Sequence, residues 1–215
     1  MVPAAGTLPT MLPVPPAAEL VRRIPRVFVG LVFFGVGIAF MVVSELGLAP
    51  WEVFHQGVSR HTGIPLGTVG IITGALVLLG WIPLHEKVGI GTLMNVTIIG
   101  IVIDVTGLIL PGEAGSTAWR WIALLGGIAL VGIGSGLYIG AGLGPGPRDG
   151  LMTGLARRGY KMRRARTAVE VVALIIGWLL GGTVGIGTVL FAFGVGPVVE
   201  YSLRRMTVAP LTADV

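Results

Sequence analysis

The chain is written twice. Val88-Gly89-Ile90-Gly91-Thr92 recurs letter for letter as Val184-Gly185-Ile186-Gly187-Thr188, 96 residues later. Gly63 matches Gly159, Gly100 matches Gly196 and Asp104 matches Glu200 at the same offset. Pro50 matches Pro147, Glu52 matches Asp149, Gly57 matches Gly154 and Gly80-Trp81 matches Gly177-Trp178, all at 97. Gly47-Leu48 matches Gly142-Leu143 at 95. Offsets this steady over so long a stretch point to duplication of one unit. In many transporters a duplicated apolar chain holds its site between the two copies.

The units belong in a bilayer. Charged residues make up 12% of the chain and apolar residues 53%, with mean hydropathy +0.91; soluble domains carry about 25% charged residues. The absence of cysteine removes disulfides, thiolate metal sites and a cysteine nucleophile. The net charge of +5 lies between apolar runs and not in a basic, aromatic-rich domain. It therefore reads as a topology signal, and no nucleic-acid partner is expected.

Six runs, near 27–46, 65–84, 88–110, 119–141, 167–182 and 184–203, approach the roughly 20 residues a spanning helix needs. The links at 85–87 and around Thr183 are short and predict antiparallel neighbours. The reading is an all-α polytopic membrane protein of about six transmembrane helices in two inverted three-helix repeats, each with a short half-helix. Residues 1–21, with five prolines and one charge, read as a disordered cytoplasmic tail. The repeats occupy 22–111 and 112–205, and 206–215 forms a short cytoplasmic tail.

Lysine and arginine set the orientation. With the N-terminus inside, 13 of the 15 basic residues face the cytoplasm, and only Arg60 and Arg120 fall outside. Both termini are then cytoplasmic. Three spans per repeat is an odd number, so the second repeat sits upside down relative to the first.

The segments after the first and fourth spans carry the candidate chemistry. Glycines break each span, and Pro50 and Pro147 then suit the first position of a new helix. Trp51 follows Pro50. Glu52 with Gln56, and Asp149 with Thr153, are i,i+4 pairs on one face. Neither segment is long enough to span. A half-helix N-terminus carries about half a positive charge and free N–H groups suited to an anion. Acidic residues there also complement their own helix dipole.

Other intramembrane charges are candidates for a site because they are costly at that depth. Glu200 stands four residues before Arg204, and Glu170 four after Arg166, so ordinary ion pairs explain both. Asp104 has no such neighbour. Asn95, Thr92, Thr188, Ser135 and Tyr138 could line a polar path, but singly each is more often interhelical glue. His55, His61 and His85 form no metal-ligand spacing, and the glycines at 142–146 lack the Lys-Ser/Thr of a phosphate loop. No metal, cofactor or catalytic group is expected.

Gly47-Leu48-Ala49-Pro50-Trp51-Glu52-Val53, Gly146-Pro147-Arg148-Asp149-Gly150-Leu151 and the repeated Val-Gly-Ile-Gly-Thr resemble the YczE membrane proteins of bacteria, themselves distantly similar to the YitT group. The resemblance covers about residues 24–205. It implies a polytopic inner-membrane protein of largely unassigned biochemistry. On the family's pattern Pro147, Arg148, Asp149 and Glu170 match the second-half motif, and Pro50, Trp51 and Glu52 its weaker first-half counterpart. The tail at 1–21 lies outside that pattern, and Met11 is a candidate start.

The expected function is secondary transport of a small polar or anionic solute by alternating access. Glu52, Arg148, Asp149, Glu170, Asp104 and Glu200 are the candidate solute or ion ligands. Arg148 would attract an anion or pair with Asp149, Glu170 would orient Arg148, and a carboxylate would carry a coupling proton or ion. The alternative is a non-transporting scaffold or assembly partner that uses the basic stretch 157–166 on anionic lipid or a protein. A homo-oligomer stays open under either reading.

Overall fold

Backbone polar groups in hydrocarbon must be satisfied within the chain, which leaves helices as the solution for apolar runs of this length. The computed structural model describes residues 15–110 and 115–208. Among them there are eight helices and no strand: α1 Ala17–Ser44, α2 Pro50–Thr62, α3 Leu66–Leu84, α4 Ile90–Ile109, α5 Thr117–Gly140, α6 Pro147–Arg157, α7 Met162–Leu179 and α8 Ile186–Met206. The order long, short, long, long occurs twice. Helix α1 starts ten residues before the expected span, so residues 17–21 are helical and not tail. The expectations for residues 1–14, Met11 among them, and for 209–215 lie outside the described residues.

Five helices, α1, α3, α4, α5 and α8, are long and apolar enough to cross a membrane. The fifth expected span, 167–182, corresponds to α7, which falls short of that standard. Its 18 residues include Arg163, Arg164, Arg166 and Glu170, all in its first half. Large apolar side chains such as Leu76, Ile101, Ile122, Phe193 and Leu179 face outward. Exposed apolar surface on that scale marks a lipid-facing exterior.

The centre is the pair α1 and α5, which run antiparallel. A Cβ on Gly37 would collide with the carbonyl oxygen of Gly127, and one on Gly30 with that of Gly134. Gly30 and Gly127 are equivalent at offset 97, as are Gly37 and Gly134, so the seam maps onto itself when the halves exchange. Small residues let the backbones approach this closely. The seam is locked at both ends by arginines equivalent at the same offset. Buried Arg23 on α1 donates to the carbonyl of Ala141 beyond α5 at 2.8 Å. Arg120 on α5 donates to the carbonyl of Ser44 at the end of α1, also at 2.8 Å. Each guanidinium satisfies carbonyls that a helix C-terminus leaves free.

The remaining contacts follow the same exchange. α1 packs on α4 as α5 packs on α8, α2 on α7 as α6 on α3, and α2 on α3 as α6 on α7. One pairing breaks it. α3 and α4 pack closely, as their short link predicts, whereas α7 and α8 lack such a pairing.

The repeated Val-Gly-Ile-Gly-Thr acts across the halves. Gly91 N–H at the start of α4 donates to the carbonyl of Leu143, and Gly187 N–H at the start of α8 donates to that of Leu46, at 2.9 and 2.7 Å. Thr92 and Thr188 accept from the N–H groups of Gly89 and Gly185 and cap their own helices. The loop ahead of each half-helix thus docks on a helix start from the other copy. Backbone angles also correct one landmark: the partner of Gly47 (φ 121) is Gly144 (φ 123), and Gly142 (φ 69) occupies the place of Glu45 (φ 53). The same left-handed turn is made twice, at positions that favour glycine.

Replacing Gly37 with Val should lower stability in detergent by about 1–3 kcal/mol, because the seam has no room for a side chain. Gly126→Ala, at a position where an added Cβ meets no other atom within 4 Å, should leave it unchanged. Denaturation curves of the two variants beside the native chain check this.

Candidate functional site

Helices α2 and α6 are short because each begins at a proline after a glycine turn and ends within four turns; at 1.5 Å per residue neither reaches across 30 Å of hydrocarbon. Their starts are brought together by the docked loops. Trp81, fully buried on α3, donates its indole N–H to the carbonyl of Pro147 at 2.9 Å and holds the start of α6 in place.

Between the two starts lies a cavity of about 260 Å³. Its polar wall contains Glu52 and His55 from α2, Arg148 and Asp149 from α6, and Arg166 and Glu170 from α7. Asn95, Ser135 and Tyr138 add uncharged polar groups, while Phe34, Val131 and Phe191 contribute to an apolar side.

The charges are paired unequally. Arg148 donates to the nearly buried Glu52 at 2.7 Å, and its guanidinium stands 5.0 Å over the Trp51 ring. Arg166 holds Glu170 at 3.0 Å along α7. Asp149 belongs to no ion pair among the described residues. Three carboxylates against two guanidiniums leave one negative charge unmatched when all are ionised. His55 is 4% exposed and its Nε2 meets no hydrogen-bond partner. The Trp51 indole nitrogen is likewise buried and unpartnered.

Of the residues singled out from sequence, Pro50, Trp51, Glu52, Pro147, Arg148, Asp149 and Glu170 line this one cavity. Arg148 pairs with Glu52 and not with Asp149, and Glu170 turns to Arg166 in place of Arg148. Asp104 lies outside the cavity lining. It accepts from the N–H groups of Gly67 and Thr68 at 2.6 and 2.8 Å and from the Thr68 hydroxyl at 2.7 Å, satisfying the free start of α3 from the neighbouring helix. Glu200 is exposed and bonded to Arg204. Thr92 and Thr188 are the caps described above, whereas Asn95, Ser135 and Tyr138 do face the cavity.

His55 and Arg166 were missed as lining residues. His55 sits one turn after Glu52 and shares its face, and Arg166 is the i−4 partner of Glu170; both signals were present in the spacing.

The far ends of the half-helices are anchored. Arg60 on α2 donates to the carbonyl of Gly181, and Gln56 accepts from Thr183 N–H at 2.7 Å. At the end of α6, Arg157 pairs with buried Glu86 at 3.2 Å, and Arg158, the residue just after the helix, donates to the carbonyl of Pro83 at 2.5 Å. Three arginines of the basic stretch 157–166 thus serve the fold itself: Arg157, Arg158 and Arg166.

Arg148→Met would strand the buried Glu52 carboxylate; removing one partner of a buried pair costs about 3 kcal/mol or more. The double variant Glu52→Gln/Arg148→Met should recover most of that loss, which a thermodynamic cycle from chemical denaturation would measure.

Residues 21–204 match the model of a family of unknown function, DUF6198. An uncharacterized protein of Haemophilus influenzae is 37% identical over 88% of this chain and 87% of its own length. The uncharacterized membrane protein YczE of Bacillus subtilis is 36% identical over 87% of this chain and 88% of its own. No solved structure matches. With helices suited to a bilayer and relatives of this kind over nearly its whole length, the chain belongs to the DUF6198 family and is a YczE-like membrane protein.

Proposed function

We propose that this protein is a secondary transporter that moves a small polar solute across the cytoplasmic membrane by alternating access between two inverted repeats. The observation that carries the reading is the cavity between the two half-helix starts, with carboxylates at equivalent positions in unequal surroundings. Binding sites in transporters of this plan lie where discontinuous helices from the two repeats meet. The antiparallel α1–α5 seam supports inversion, since two spanning helices that run opposite ways give their repeats opposite orientations. In this scheme α7 is the sixth crossing. Its basic first half reaches the cytoplasmic headgroups with long side chains that keep their charges in water. The arginine distribution supports placing both termini on the cytoplasmic side.

Exchange of two equivalent packings would open the cavity first to one side and then to the other. The anchors at Arg60 and at Arg157–Arg158 close opposite ends of the pathway and break in turn. Asp149, the lining carboxylate without an ion-pair partner, carries the coupling proton. Glu52 is held by Arg148 as part of the frame. The anionic class of solute is not favoured, because both lining guanidiniums already hold carboxylates.

Single cysteines replacing His61 and Arg158, at the two exposed half-helix ends, should react with an impermeant maleimide from opposite sides of the membrane. Labelling of both from one side overturns the inverted arrangement. In proteoliposomes under a pH gradient, a panel of labelled small metabolites should include at least one that accumulates. Asp149→Asn should reduce that accumulation at least tenfold and Glu200→Gln should leave it intact.

A further inference from the structure

The two half-helices are copies with different contents, and the difference marks a binding position. At offset 97, Glu52 corresponds to Asp149, Trp51 to Arg148 and His55 to Met152. Exchange of the halves would turn the pair Arg148–Glu52 into a pair between residue 51 and Asp149. Residue 51 is Trp, so the cation that Glu52 receives from the opposite half-helix has no counterpart at Asp149. The partial charges at the two helix starts do not alter this comparison, because each carboxylate has one in its own first turn.

Arg166 and Arg148 both act on Asp149 through space and favour its charged form, but each forms its ion pair with another carboxylate. Arg148 on its own helix turns to Glu52 on α2, and Arg166 and Glu170 on α7 form a bonded pair. His55 on α2 is the remaining titratable neighbour with charge to gain, and Tyr138 on α5 contributes a hydroxyl.

The position is also shaped. A Cβ placed on Gly146 would lie 3.4 Å from Asp149 Oδ2, 3.5 Å from the Tyr138 hydroxyl and 3.6 Å from Asn95 Nδ2. Three polar side chains from three helices therefore ring one spot beside a residue that lacks a side chain. Beyond the paired charges Arg148–Glu52 and Arg166–Glu170, Phe34, Val131 and Phe191 give the cavity an apolar side, and Trp51 already presents its ring to the Arg148 guanidinium. Aromatic rings and an unmatched carboxylate together suit an organic cation, whose charge they attract without the strong desolvation cost of an inorganic ion.

From this arrangement, and resting on the transport reading above, we infer that the solute is a small organic cation, an amine or quaternary ammonium with an apolar body, whose nitrogen binds at Asp149 within the Tyr138–Asn95 ring. The cation and the coupling proton then occupy the same carboxylate and exclude one another. Transport is an exchange of one for the other: the cation binds Asp149 as a carboxylate, and protonation of that carboxylate releases it. No bond beyond O–H is made or broken, and the proton lost on binding enters the solvent on the side to which the cavity is open.

The test is direct binding of benzyltrimethylammonium to the purified full chain in detergent, with benzoate as the anion of similar size. Benzyltrimethylammonium cannot itself exchange a proton, so its pH dependence reports the protein. The native chain should bind it and not benzoate. Affinity should fall about tenfold per pH unit once Asp149 is protonated, and binding there should release a proton measurable in weak buffer. Asp149→Asn should lose binding at least tenfold together with the pH dependence while its melting temperature stays near native. Trp51→Leu, should the first variant unfold, should weaken binding several-fold and keep the pH dependence. Benzoate binding in place of the cation, or cation binding unaltered in Asp149→Asn, overturns the proposal. Binding as expected with no flux of the cation in proteoliposomes leaves this site standing and overturns transport; flux of another solute without cation binding does the reverse.

Discussion

Close contact between the backbones of α1 and α5 is the constraint on which the rest depends. Glycines at equivalent positions bring the two helices together with no side chain between them, and only an antiparallel arrangement places Gly30 on Gly134 and Gly37 on Gly127 simultaneously. Once that seam is set, Arg23 and Arg120 each reach the end of the opposite helix and occupy carbonyls that apolar surroundings would leave unsatisfied. The loops that leave those ends are then directed onto the starts of α8 and α4. Those contacts in turn fix where α2 and α6 begin. The cavity is the space left between them.

Within that duplicated frame, the chemistry resides in the departures from symmetry. A perfectly repeated site would have either two ion pairs or two free carboxylates. Here Trp51 stands against Arg148, so one carboxylate is neutralised by the opposite half and the other is not. The same holds for shape: α3 and α4 pack together, whereas α7 and α8 lack such a pairing, although α7 meets α2 and α6 as α3 meets α6 and α2; from there Arg166 and Glu170 line the cavity. The basic stretch that looks like a docking surface in isolation is partly used up by these contacts.

The helices and half-helices were legible because hydrophobic run length and the proline–glycine punctuation are local properties. The cavity lining was legible in most of its charged members, since a carboxylate at a half-helix start is conspicuous in an apolar chain. Asp104 shows where such reading stops. Its isolation in sequence suggested a ligand role, but its partners, Gly67 and Thr68, lie on another helix and could be found only by packing. The equivalence of Gly47 with Gly144 was likewise hidden, because letter matching favoured Gly142 and only the backbone angles distinguish the two turns.

The sequence by itself determined that this chain belongs in a membrane, that it consists of two copies of one unit, and that each copy carries a short broken helix with an acid at its start. Those are consequences of composition, periodicity and repetition, which act within about 20 residues or recur at a constant offset. Which arginine serves which carboxylate came only from the packed helices, as did the finding that Asp149, of the three lining carboxylates, has no ion pair among the described residues and shares its cavity with His55, Tyr138 and Asn95. Those pairings join residues up to 96 positions apart across the two halves. Pairing at such distances is set by the approach of the backbones at the glycine seam, which no local pattern encodes.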